Sequence, residues 1–91
     1  MAQGKVAAAM RARLEAAFAP QALEILDESE RHRGHGGWRE GGESHFRVRM
    51  RAAAFDAMSR LERQRAVNRV LAEELAGPVH ALALELAGTA E

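Results

Sequence analysis

Apolar residues recur at every fourth position near the start of the chain. Val6, Met10, Leu14 and Phe18 fall on one line, with Arg11, Arg13 and Glu15 off it. This is the period of one helical face, and it predicts a helix over residues 5–19 that Pro20 stops. The run at 22–27 (Ala-Leu-Glu-Ile-Leu-Asp) puts Leu23 and Ile25 on one face of a strand, although six residues are too few for periodicity alone to settle it. The clearest alternation follows, with Phe46, Val48 and Met50 facing one way and His45, Arg47, Arg49 and Arg51 the other. It predicts a half-buried strand with a basic outer face. Ser59-Arg60-Leu61-Glu62 has the spacing of a capping box. The helix it opens is expected to bury Val67, Val70, Leu71 and Leu75, with Arg65, Arg69 and Glu73 outside and Gly77-Pro78 as its stop. Residues 79–86 are expected to form a last strand. Their Ala and Leu content suits a helix equally, but the preceding Gly-Pro and the short length favour a strand. The order helix, strand, loop, strand, helix, strand is an α+β pattern whose halves must share one core, since neither can bury its apolar face alone.

The first two strands are separated by a stretch, 30–43, that carries Gly34, Gly36, Gly37, Gly41 and Gly42 among charged residues. It predicts a flexible loop longer than a hairpin turn, and loops of that length are usually functional or disordered. The whole chain, residues 1–91, is expected to be one domain: 91 residues with 47% hydrophobic content suit a single modest core. Its 13 basic and 13 acidic residues cancel, so any attraction to nucleic acid or membrane must be local. Neither a signal-peptide apolar region nor a run approaching the ~20 residues of a membrane span is present. The expectation is a soluble protein without a membrane role. With neither segment present the expected location is cytoplasmic, and the abundance of Ala, Arg and Gly hints at a GC-rich bacterial genome without fixing the source.

Cysteine is absent, which excludes disulfides, thiol catalysis and a self-contained thiolate-ligated metal site. The four histidines carry the remaining metal chemistry. His32 and His35 form an H-x2-H pair in the Gly-rich loop, where they are either solvated or able to ligate one ion. His80 shares strand parity with Leu82, Leu84 and Leu86, which by itself places it at the rim of the core. His45, beside Phe46, is expected to pack or hydrogen-bond rather than ligate. The arginines 47, 49 and 51, with Arg60, Arg63, Arg65 and Arg69, offer a basic surface for phosphates. Glu62, Glu73 and Glu74 interrupt it, and Trp38 is the one stacking aromatic nearby, so a salt-bridged solvated face explains the same residues. Catalysis has little support: there is no nucleophile elbow, P-loop or dinucleotide fingerprint. Asp27 and Glu28 would point to opposite faces of a strand, and the chain reads as a non-enzyme.

Three blocks then become informative together: Asp27-Glu28-Ser29 before the loop, Glu43-Ser44-His45-Phe46-Arg47-Val48 after it, and Val79-His80-Ala81-Leu82-Ala83-Leu84 near the end. In this order and spacing they resemble the BolA family over nearly the full chain. Departures occur at Ala52-Ala53-Ala54, at Phe55-Asp56-Ala57, where the family has Phe-x-Gly, and at Arg63-Gln64-Arg65, where it has Arg-His-Arg. The resemblance implies an αββααβ fold similar to class II KH domains, with a three-stranded mixed sheet and helices packed on one face. It implies partnership with a monothiol glutaredoxin through a shared [2Fe–2S] cluster. The partner and glutathione would each supply a thiolate, and this chain would supply His80 and one loop histidine, His32 or His35. No cluster is then expected in the isolated protein, a monomer or weak homodimer. The implied role is cluster trafficking and iron homeostasis. Some members are DNA-binding regulators, for which Arg63, Arg65 and Arg69 are the candidate contacts, but the Gly-x-x-Gly loop that clamps phosphates in KH domains is missing. A metal site built from this chain's histidines alone is a third possibility.

Overall fold

The computed structural model describes residues 4–29 and 42–91. Most of the predicted Gly-rich loop, with His32 and His35, lies outside them. The elements are α1 (Lys5–Phe18), β1 (Ala22–Asp27), β2 (His45–Arg51), a 3₁₀ turn (Ala53–Phe55), α2 (Arg60–Val70), α3 (Ala72–Ala76) and β3 (Ala81–Ala87). The sheet has the order β1-β2-β3, with β1 antiparallel and β3 parallel to the central β2. This is the expected αββααβ order and mixed sheet.

Parity along β2 builds the core. Phe46, Val48 and Met50 are buried, and their neighbours across the ladders are Leu82, Leu84 and Leu86 on β3 and, for Val48 and Met50, Ile25 and Leu23 on β1. Met10 and Leu14 of α1 and Val67 of α2 complete one cluster with them, so both long helices cover the same face of the sheet. Helix α1 ends where Ala19 turns left-handed (φ 46°) just before Pro20. The opposite face of the sheet is charged, as alternation predicts, but its charge is internally paired. Arg47 bonds Glu28 (3.1 Å) and Glu85 (2.9 Å), while Arg49 bonds Glu24 (3.3 Å) and Glu85 (3.2 Å). The hydrogen bond that Arg47 Nε donates to Glu28 is the main reason the Arg47 guanidinium is held above its ordinary pKa. The stripe is a salt-bridged solvated face.

The capping box forms as its spacing requires. Glu62 N–H donates to Ser59 Oγ (3.1 Å) and Ser59 N–H donates to Glu62 Oε1 (2.7 Å), which holds the Glu62 carboxyl below its usual pKa. Replacing Ser59 with alanine is expected to cost about 1 kcal/mol. In urea the unfolding midpoint should fall with an unchanged slope.

Four expectations are corrected. The second helix is not continuous: it breaks at Leu71 (φ −97°, ψ 17°), and α3 turns so that Arg13 of α1 reaches both Glu73 and Glu74. Val67 and Leu71 are buried, whereas Val70 and Leu75 are only half-buried. The last strand starts at Ala81, not 79, and His80 is exposed rather than at the core rim. Val79 N–H is still bound to Glu74 C=O (3.0 Å), closing the helical turn, so the ladder cannot begin earlier.

Candidate functional site

The segments around the three informative blocks meet at one end of the sheet. Asp27, the last residue of β1, holds both ends of the loop. Its Oδ1 accepts from Ser29 N–H (3.0 Å) and Ser29 Oγ–H (2.5 Å), and its Oδ2 accepts from Glu43 N–H (3.0 Å). The returning chain is left-handed at Gly42 (φ 78°) and Glu43 (φ 59°). A Cβ at Gly42 would sit 3.0 Å from Asp27 Oδ2, so glycine is what lets the backbone come this close. Glu43 Oε2 accepts from Ala7 N–H (3.0 Å), placing a negative charge at the start of α1, where the helix dipole favours it.

Ser29 and Ser44 join this clamp to β2. Ser29 Oγ accepts from Ser44 N–H (3.1 Å) and His45 N–H (3.3 Å), and Ser44 Oγ lies 2.8 Å from His45 Nδ1. Ser29, Ser44 and His45 are 2%, 0% and 4% exposed, so these polar groups are buried with partners, as burial demands. Ser44 C=O then receives His80 N–H (2.7 Å) and Ala81 N–H (3.2 Å), pinning the start of β3 against the start of β2. The His45 and His80 rings lie 5.3 Å apart at 50°. The outcome is a fixed backbone at His80 with its imidazole exposed, beside the anchored ends of the loop that carries His32 and His35.

His45 shares the parity of the arginines, as alternation predicts, but it is buried by its neighbours rather than solvated. The packing and hydrogen bonding of His45 are as expected, but the Ser29–Ser44 hydroxyl network that holds it was missed from the sequence. The available signal was the pair of turn-forming residues, Asp27-x-Ser29 and Ser44, bracketing the loop.

His80 presents one exposed imidazole. Among the described residues no three histidines, acids or cysteines converge on a point that could hold a metal ion. The candidate arginines separate. Arg63 is only 12% exposed in its side chain and serves the fold: its Nε donates to Phe55 C=O (3.1 Å) and Met58 C=O (3.2 Å), and it pairs with Glu91 at 2.6 Å. That pairing draws the Glu91 carboxyl down to about 2. Arg65 and Arg69 are exposed on α2. A cavity of about 620 Å³ lies at the far end of the sheet from His80, lined in part by Arg51, Arg60, Met50 and Leu86. Among the described residues no helix is long and apolar enough to cross a membrane.

Comparison with known proteins agrees with the geometry. The family model described as BolA-like protein matches residues 14–91. BolA-like protein 1 of Mus musculus is 49% identical over 84 residues, covering 92% of this chain and 58% of that protein. The DNA-binding transcriptional regulator BolA of Escherichia coli is 46% identical over 72 residues, covering 79% of this chain and 65% of that protein. Among solved structures, the BolA domain of SufE1 from Arabidopsis thaliana superimposes with a TM-score of 0.87 at 34% identity, covering 98% of both chains. The chain thus spans little more than half the length of the mouse relative.

Proposed function

This chain belongs to the BolA-like protein family, and from that premise we propose that it is a non-enzymatic adaptor that carries a [2Fe–2S] cluster jointly with a monothiol glutaredoxin. The observation that carries the proposal is the exposed imidazole of His80 on a backbone fixed by Ser44 C=O, in a chain with no cysteine. Such a chain cannot supply thiolates, but it can supply imidazoles to a cluster whose sulfur ligands come from the partner and glutathione. The second imidazole is assigned to the loop, His32 or His35. Neutral histidines in place of thiolates remove negative charge and raise the reduction potential, as in Rieske centres. A cluster held partly by a loop is also suited to transfer.

The test is to combine the protein with a monothiol glutaredoxin, ferrous iron, sulfide and glutathione. The expected result is one co-eluting heterocomplex whose visible circular dichroism differs from that of the cluster-bound glutaredoxin alone. Separate elution with the glutaredoxin spectrum unchanged would overturn the proposal.

A second reading, a DNA-binding regulator, is favoured by the similarity to the Escherichia coli regulator and by the exposed Arg65 and Arg69. Phosphate contacts predict binding that weakens steeply with salt, together with a sequence-specific footprint. No binding to promoter-length duplexes at low salt would remove this reading.

A further inference from the structure

We propose that His45 is a positioning residue for His80, and that the chain Asp27–Ser29–Ser44–His45 is the device that fixes it. The inference rests on the shared-cluster reading and adds a residue to it. His45 is 4% exposed, so it is not placed to reach a partner's cluster itself. Its ring is nevertheless 5.3 Å from that of His80 at a 50° tilt, an inclined packing of the kind rings favour. The orientation of His45 is itself fixed. Ser44 Oγ holds Nδ1 at 2.8 Å, Ser29 Oγ holds the His45 backbone N–H at 3.3 Å, and Asp27 takes the Ser29 hydroxyl hydrogen. Every link is buried or half-shielded, where a hydrogen bond is strong and a lost partner is costly.

The same chain ties together the two sources of imidazole. Asp27 clamps residues 29 and 43, the two ends of the loop that carries His32 and His35. Ser44 C=O holds the backbone of His80. One polar network therefore sets both the direction of the His80 ring and its distance from the base of the loop. Residues that orient a metal-binding histidine without touching the metal typically change metal affinity by 10–100-fold when removed. An exposed histidine on an unsupported strand start would instead sample several rotamers and lose entropy on binding.

The test uses His45→Asn, which removes the ring but keeps a polar atom near the Nδ1 position, and His45→Phe, which keeps a flat ring against His80. In the isolated protein, three-bond couplings report the His80 χ1 angle. In the heterocomplex, the lifetime of the cluster signal under chelator challenge reports retention. His45→Asn is expected to average the His80 couplings and shorten the lifetime about tenfold; His45→Phe is expected to restore a single rotamer and most of the lifetime. Wild-type couplings and lifetime in His45→Asn would overturn the proposal. So would a complete loss of cluster signal in His45→Asn with an intact melting transition, because that is the behaviour of a ligand. Should His45→Asn fail to fold, Ser44→Ala keeps the ring but removes the Nδ1 tether, together with the longer 3.4 Å contact to Ser29 Oγ, and is expected to shorten the lifetime several-fold; a wild-type value there overturns the inference. If no heterocomplex forms with the wild-type protein, the shared-cluster reading fails while the His80 couplings still decide the positioning role.

Discussion

His80→Ala is expected to abolish the spectrum of the shared cluster while leaving the fold intact. Two features separate these outcomes. The imidazole is exposed, and exposed substitutions away from caps and strained backbone usually change stability by less than ~0.5 kcal/mol. The contact that the fold needs from residue 80 is its backbone N–H, held by Ser44 C=O at 2.7 Å, and alanine keeps it. Loss of the imidazole removes a ligand outright, so the effect should exceed the 10–100-fold typical of supporting residues. Visible circular dichroism of the reconstituted heterocomplex checks the first outcome and thermal melting of the isolated protein the second. A wild-type spectrum from His80→Ala would remove His80 from the site. Single replacements of His32 and His35 divide the second ligand: one should weaken the spectrum strongly and the other hardly at all.

Local signals carried the fold a long way. The capping box at Ser59–Glu62, the alternation of β2 and the Pro20 stop each depend on residues within a few positions of one another, and each forms as expected. The features that escaped depend on distant partners. Parity puts His80 on a strand, but the ladder starts one residue later: Val79 N–H is still held by Glu74 C=O, and His80 N–H shares Ser44 C=O, 36 positions upstream, with Ala81 N–H. The break at Leu71 accompanies the reach of Arg13 to Glu73 and Glu74, about 60 residues away in sequence. The burial of His45 needs Ser29 and His80 to arrive from either side. At the candidate site, His80 was legible because its flanking block resembles a family, not because spacing or charge marked it. The two serines were not, since a hydroxyl gives no periodic signal and its value lies in what it meets.

The 3₁₀ turn Ala53–Phe55 left no periodic trace either, yet it supports the second large prediction. Phe55→Ala is expected to destabilise the protein by about 3–5 kcal/mol, the usual cost of emptying a buried aromatic site. Phe55 is 0% exposed, and its ring lies 5.1 Å from Phe18 of α1 at a 44° tilt, with the Arg63 guanidinium 6.0 Å from its centre. Its C=O accepts from Arg63 Nε and from Met58 N–H, so the turn, α1 and the first turn of α2 converge on one residue. A chain of this length has a total stability of about 5–14 kcal/mol, so the loss is a large share of it and should lower Tm by roughly 15–30 °C. Leu61→Ala is the control, since Leu61 is 55% exposed and its truncation should move stability by less than ~0.5 kcal/mol. Composition treats the two as equivalent apolar residues, and only the packing separates them. Phe55 follows the end of β2, while His45 opens it, so the structural and functional effects should also separate. Well below its lowered Tm, Phe55→Ala should give the wild-type cluster spectrum. A stable Phe55→Ala, or one that loses the spectrum while still folded, would show that the two ends of the sheet are not independent in the way this packing requires.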